Sequence, residues 1–587
     1  MLMIQLITTF EEEVNYPPFD IVYLGPWCIE NGLANPSLLS SSNCVNLSNL
    51  SMGERHQRVL QVDQAAERIA VDLANSLNSL HKTEHDLLYW QTCTGYWLTI
   101  FLDSLYDRWV NAQLVTDYGK ELSLKSFFAT DSDTIPNTTS EFNLLSQTGK
   151  WNRFIFEQAL NNVENVKIVT SQKLDPVEAS IYEGPHSLRT SNSARQRMQR
   201  VINTIAKRCP YVLCTTYLPK RAEWKLALML GSIPLYWAEP TRSQQIDSLS
   251  FREHLALPIT GDEFERFARK LISKQIPRSF VERYASICSG ITRSFGRKYP
   301  RAIFTSNLHL SSDSFSIWSA EARNHGCKLL ISQHGGLNGQ GLFPTRGETH
   351  ESRIADCHLP WGWKDESERS KNVPALINVG REVFGDQSEA PKLLLVTDCT
   401  YRYGRQPWMS SIDNQIYLTN LQALVAQLPK EIYRQTIVRL HHHHAEYDYS
   451  QSLQWSNTQP ETVTDNGSTP IDELRHMSRL AICTTLGTSE IEQYARNFPT
   501  VLMLDPQTHP IRENWRNLFS KMQSVGLVHE SPKSASEHIA NIWSDTNTWW
   551  LQDQIQALVA EYLYRFGRKD KHPLRELKRV ITSVSKS

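Results

Sequence analysis

From residue 300 onward the chain alternates short apolar runs with amphipathic helical stretches, and that order restricts it to a parallel-sheet fold. Residues 301–305 form a β run. Residues 313–325 have helical periodicity, begin at an N-cap type, Asp313, and stop at Gly326; residues 328–332 are a second apolar run. Strand, helix and strand in this succession imply parallel strands joined by a right-handed crossover. The pattern returns with strands at 392–397, 436–440, 480–483 and 500–504, separated by helices at 413–428, 471–478 and 489–497. Such density predicts an α/β chain with a doubly wound domain over 392–565, ending in a helical cap at 533–565. The polar stretch 364–391, with Pro374, Gly380, Gly385 and Pro391, reads as a linker. It leaves 1–363 as an N-terminal α/β domain with helical insertions, and 566–587 as a basic tail carrying Arg568, Lys569, Lys571, Arg575, Lys578 and Arg579.

Within 1–363, residues 18–25 and 209–216 read as strands, 222–231 as a helix, 31–60 as loop and 176–200 as a polar run with Arg189, Arg195, Arg197 and Arg200. Residues 61–115 read as helical, with Trp90, Trp97, Phe101, Leu105 and Trp109 on one core-facing side. Sixty-one Lys and Arg balance sixty-two Asp and Glu in 587 residues, so net charge provides no attraction for nucleic acid, and any anionic ligand needs a local site. No apolar stretch approaches the roughly 20 residues that span a bilayer, and residues 1–14 lack the basic start of a signal peptide. The ten cysteines are scattered; Cys209 and Cys214, the closest pair, have neither redox nor zinc-knuckle spacing, so reduced thiols and a cytoplasmic location are expected.

Four stretches carry candidate chemistry. Gln333-His334-Gly335-Gly336 follows a buried strand and opens a glycine-rich loop; it places His334 where it could donate to a leaving phosphate or position an acceptor hydroxyl. Arg439-Leu440-His441-His442-His443-His444 ends a strand and suits a phosphodiester; a plain polar loop and a metal site are the competing readings. At most two of four consecutive histidines can converge and no Cys lies at ligand spacing, so no metal is expected. Thr484-Thr485-Leu486-Gly487-Thr488-Ser489-Glu490 joins a strand to a helix start, where amides and hydroxyls hold anions and Glu490 could hold a ribose; a simple N-cap is the alternative. Finally, Glu348, His350, Glu351 and Asp356 are candidate bases or acceptor contacts, unless they are surface charge. Taken together, donor phosphate would lie against the second domain, with Arg439, His441, Thr485, Thr488 and Ser489 around it and Glu490 on the nucleoside. Gln333, Gly335 and Gly336 would close over it, and His334, Glu351 and Glu348 would supply the chemistry.

On these residues the chain resembles a family of transferases of bacterial surface-carbohydrate biosynthesis first labelled from a spirochaete protein. The likeness runs through Tyr23-Leu24-Gly25-Pro26-Trp27-Cys28, Tyr89-Trp90, Leu105-Tyr106-Asp107-Arg108-Trp109, Gln333–Gly336, 348–356, Trp361-Gly362-Trp363, 484–499 and 515–530. The carboxyl-terminal half is distantly similar to the capsule Kdo transferases and polyglycerol-phosphate polymerases, whose Arg-x-His-Pro pattern appears here with His442 in place of Pro. The resemblance implies a GT-B arrangement, two Rossmann-like domains facing across a cleft. It implies a glycosyltransferase using a nucleotide-activated sugar, with a CMP-linked ulosonic acid such as Kdo or a sialic-like sugar as donor. The acceptor would be a surface glycan or lipid-linked, and the protein would touch the inner membrane peripherally. A polyol-phosphate transferase with a CDP-activated donor and a non-catalytic carbohydrate-binding protein are the alternatives.

Overall fold

In the computed structural model every strand pairs in parallel among the described residues. The structure describes residues 4–10, 21–29, 43–126, 134–161, 163–169, 194–239, 249–296, 298–364, 367–447 and 451–586. Much of the loop expected over 31–60 and most of the arginine-bearing run 176–200 lie outside the described residues.

Three sheets result. β1 (Ile4–Ile7), β2 (Ile21–Tyr23), β3 (Leu122–Lys125) and β4 (Val166–Val169) form the first, in the order β2-β1-β3-β4. β5 (Tyr211–Leu213), β6 (Ala302–Thr305), β7 (Lys328–Ser332) and β8 (Cys357–Leu359) lie in sequence order in the second. The third holds β9 (Lys392–Val396), β10 (Thr436–Arg439), β11 (Val463–Asp465), β12 (Ser478–Cys483), β13 (Thr500–Met503) and β14 (Val528–His529), in the order β11-β10-β9-β12-β13-β14. The α/β class holds, and two of these sheets come from residues 1–363. In the third sheet the chain steps outward from β9 to β11, then restarts beside β9 with β12. That reversal opens a crevice at the carboxyl ends of β9, β10 and β12, where ligands collect in open parallel sheets.

The aromatic-rich stretch forms two antiparallel-connected helices, Met52–His81 and Leu87–Gln113. A Ser51–Glu54 capping box starts the first, and Asp86 caps the second. Trp90, Trp97, Phe101 and Leu105 are buried as expected, in a core shared with one face of the second sheet. From this layer buried charges reach other parts of the chain. Arg55 Nη2 lies 2.7 Å from Asp413 Oδ1 on the helix Ser411–Ala426 of the third sheet. Arg108 donates to the Gly404 carbonyl, and a Cβ at Gly404 would sit 2.6 Å from Asp107 Oδ1.

Three expectations need correction. The helix Asp313–Asn324 is capped by Ser312, whose Oγ accepts from the Phe315 amide at 3.2 Å; Asp313 is its first residue. The presumed linker is packed, with Val373, Ala375, Leu376 and Ile377 buried and Phe384 beneath the Arg496 guanidinium. The basic tail is a helix, Pro573–Val584, because Leu577, Val580, Ile581 and Val584 make an apolar stripe at helical spacing. That stripe joins the same core as Tyr211, Leu213 and Leu226 of the first half, and Tyr211 Oη is 3.2 Å from Ser585 Oγ.

Candidate active site

β7 ends at Ser332 and delivers Gln333 and His334 at its carboxyl end. Gln333 is buried and satisfied within the protein: Nε2 donates to the Gly335 carbonyl at 2.6 Å, and Oε1 accepts from the Trp361 amide at 3.0 Å and Trp363 Nε1 at 2.8 Å. These bonds shape the loop. His334 turns the other way. Its Nδ1 lies 3.1 Å from Glu351 Oε1, while its side chain stays 23% exposed against 0% for Glu351. Glu351 comes from the helix Arg346–Ile354, started by Thr345 accepting from the Glu348 amide at 3.0 Å. Arg346 fixes that helix by pairing with Asp103 of the helix Leu87–Gln113 at 2.6 Å and 2.7 Å.

Two further histidines flank the same carboxylate. His309 Nε2 is 3.6 Å from Glu351 Oε1, and His358 Nε2 on β8 is 3.7 Å from Oε2. Burial pushes the Glu351 carboxyl up, but the imidazoles around it, His334 foremost, outweigh burial and hold it well below the ordinary carboxylate range. Burial pulls His309 and His350 down, favouring their neutral forms. The Tyr217 ring centroid is 6.0 Å from that of His334, in a loop where Thr215 and Tyr217 have φ of 50° and 59°. Such left-handed backbone in non-glycine residues costs energy and concentrates at functional sites.

The glycine loop meets the third sheet directly. A Cβ at Gly336 would lie 1.3 Å from the Gly487 carbonyl oxygen, so only glycine permits this approach, whereas a Cβ at Gly335 would meet open space. Gly487 precedes the helix Thr488–Ala495 at the carboxyl end of β12. Thr485, Thr488 and Ser489 are half-buried beside this contact. His334 and the Thr485–Ser489 turn therefore belong to one locus.

A family model for the LIC12162 family transferases matches residues 4–581. The chain belongs to this family. No curated protein matches the chain. Among solved structures it is similar to the wall teichoic acid polymerase TagF, at 9% identity over 67% of this chain and 94% of that one, with a TM-score of 0.31. It is also similar to MurG of Acinetobacter baumannii (11%, 64% and 99%, 0.32) and to MnaA of S. aureus with UDP (11%, 62% and 94%, 0.36).

The remaining expected site residues of this transferase are engaged elsewhere. Glu490 is fully buried; both its oxygens accept from the Gly487 amide at 2.9 Å, and Tyr562 Oη lies 3.1 Å from Oε1. It caps its own helix. Glu348 is also buried, bonded to Arg512 Nη2 at 2.6 Å and the Gly339 amide at 3.2 Å, so it clamps the glycine loop to the third sheet and is no free base. Arg439 pairs with Asp465 across β10 and β11, pointing along the sheet. His441 Nδ1 lies 2.8 Å from Cys399 Sγ, at the ends of β10 and β9. Asp356 pairs with Arg323 at 3.0 Å. His309, His358 and Tyr217 escaped the sequence reading because each is a lone residue in its own segment, and only the fold brings them to Glu351 and His334.

Proposed function

We propose that this transferase is a glycosyltransferase acting on a nucleotide-activated sugar. The observation that supports it is the His334–Glu351 pair placed beside the Gly336–Gly487 contact. His334 is the one member of the buried imidazole cluster with substantial exposure, and its Nδ1 is turned to a carboxylate. Nε2 then takes the proton of the acceptor hydroxyl as that oxygen attacks the anomeric carbon, and Glu351 stabilises the imidazolium that forms. The departing nucleotide phosphate lies against the Thr485, Thr488 and Ser489 hydroxyls and the first-turn amides of Thr488–Ala495, which lack intrahelical partners by geometry. The donor is a CMP-linked ulosonic acid such as Kdo or a sialic-like sugar, because a single phosphate suits so small a cradle. The acceptor is a surface glycan or a lipid-linked precursor at the inner membrane, towards which Arg575, Lys578 and Arg579 on the last helix are exposed. Among the described residues no helix is long and apolar enough to cross a membrane.

Thermal melting with CMP, CDP, UDP and GDP tests the reading. A cytidine nucleotide at about 100 times its Kd should add roughly 2.7 kcal/mol of stability. His334→Ala should keep that stabilisation and lose roughly 10²- to 10⁴-fold in turnover. Binding of none of the four nucleotides by calorimetry, or full turnover in His334→Ala, would defeat it. Product mass separates sugar transfer from transfer of a polyol phosphate, which leaves phosphorus in the product.

A further inference from the structure

We propose that Asp398, Cys399 and His441 form a binding site for a divalent transition metal ion, with zinc the best match. The sequence raises a metal only through the histidine run 441–444 and does not point to Asp398 or Cys399. Cys399 and His441 are 42 residues apart, and taken in sequence the four consecutive histidines offer at most two convergent ligands. The fold supplies the missing partners, because β9 and β10 are hydrogen-bonded neighbours with Val396 opposite Arg439. The two chains leave the sheet side by side, one continuing into Asp398-Cys399 and the other into His441. One carboxylate oxygen of Asp398, Sγ of Cys399 and a ring nitrogen of His441 all lie within 4.8 Å of one another.

This donor set is a thiolate, an imidazole and a carboxylate, the combination that selects zinc or a neighbouring first-row ion over magnesium or calcium. The closest pair, Cys399 Sγ and His441 Nδ1, stands at 2.8 Å. A tetrahedral zinc would hold them about 3.5 Å apart, given Zn–S of about 2.3 Å and Zn–N of about 2.0 Å. His441 Nδ1 also accepts from the His443 amide at 3.3 Å, a long contact that the metal replaces. The Asp398 amide donates to Tyr417 Oη at 3.0 Å, which fixes the backbone carrying two of the three ligands. Cys399 is buried, His441 half-buried and Asp398 exposed, so the cluster opens to solvent on the carboxylate side. Three protein ligands with one open position describe a site that takes a water or a substrate oxygen, in contrast to a closed four-ligand structural site. Binding converts the Cys399 thiol to thiolate and releases its proton, so affinity rises with pH.

The test uses the full chain, stripped with a chelator and titrated with Co²⁺ and then Zn²⁺. One equivalent of cobalt should produce a near-ultraviolet thiolate-to-cobalt band, which zinc then abolishes by displacement. Cys399→Ser should remove the band and weaken zinc binding at least tenfold; Asp398→Asn should weaken it while keeping the band. The neighbouring histidines are a competing chelator, so a variant with His442→Ala, His443→Ala and His444→Ala serves as the control and should keep the band. Circular dichroism melts confirm that each variant is folded. Absence of the band in the wild-type chain, or zinc affinity that survives Cys399→Ser and collapses in the triple variant, would overturn the proposal. Neither readout involves turnover, so the result stands apart from the fate of the glycosyl-transfer reading.

Discussion

Glu351 and Glu490 are both fully buried, yet their surroundings set them in opposite charge states. Glu351 faces three imidazoles and stays ionised. Glu490 has the Gly487 amide and a tyrosine hydroxyl but no cation, and burial lifts its carboxyl from 4.5 to about 8. A protonated Glu490 also explains the hydrogen bonding around Tyr562, whose oxygen is 2.8 Å from Gln340 Oε1 and 3.1 Å from Glu490 Oε1. One hydroxyl hydrogen cannot serve two acceptors, so the tyrosine donates to Gln340 and accepts from the carboxylic acid. The pH consequence follows by linkage. The native carboxyl keeps its proton up to about 8 and the unfolded one releases it near 4.5. Stability from this group is therefore complete below 4.5 and declines as pH rises towards 8. Glu490→Gln should leave the melting temperature unchanged at low pH and raise stability by about 2–4 kcal/mol above pH 8. Melts across that range check it; a pH slope identical to wild type would contradict the assignment. At Glu351 the expectation is different. Glu351→Gln keeps size but not charge, so turnover should fall by roughly 10²-fold or more with nucleotide affinity unchanged, as measured by separate kinetic and calorimetric titrations.

Among elements, the glycine loop and the Gly487 turn meet backbone to backbone. Gly336→Ala should separate them and cost about 2–4 kcal/mol, because a Cβ has only the Gly487 backbone to displace. Gly335→Ala provides the contrast. Its Cβ enters open space, so the melting temperature should hold while activity drops if the donor approaches that backbone. A chemical melt and an activity assay on the pair decide the matter. These loops were legible from sequence because they follow apolar strands: 328–332 coincides with β7, 392–397, 436–440 and 500–504 bracket β9, β10 and β13, and 480–483 covers the last four residues of β12. What escaped were short strands and single side chains. Val463–Asp465 and Val528–His529 are edge strands of three and two residues, and Val166–Val169 alternates half-buried and exposed positions, so none makes a run that stands out. The helix Arg346–Ile354 escaped for another reason. Its buried face is Arg346, Glu348, His350, Glu351 and Ile354, mostly polar residues whose partners come from distant segments, so the sequence offered Glu348, His350 and Glu351 as candidate bases but showed no apolar stripe to mark a helix. The cap at Glu490 lies three residues from its partner and was one of the two readings the sequence offered, whereas the pairing of Arg439 with Asp465 depends on a neighbour that sequence distance conceals.

At the scale of the whole molecule, the halves are joined by more than the loop contact. Arg55 and Asp413 form a buried pair between the first long helix and the third sheet, and removing one partner leaves an uncompensated charge. The core that lines the third sheet continues into the second sheet through Phe304, Trp361 and the last helix. Unfolding should therefore occur as one calorimetric transition, although the chain carries three sheets. Ending the chain after Gly567 removes the buried Leu577, Val580, Ile581 and Val584, each worth about 1.5–3 kcal/mol. That variant should melt well below wild type and expose the Leu213–Leu226 face to hydrophobic dyes; an unchanged melting curve would show that the helix is dispensable. Because Pro573–Val584 packs against residues of β5 and the helix Lys220–Met229, the amino-terminal half cannot close its own core during synthesis. More than three hundred residues must still emerge from the ribosome before its final layer arrives, so the nascent protein depends on protection from premature association for most of its translation.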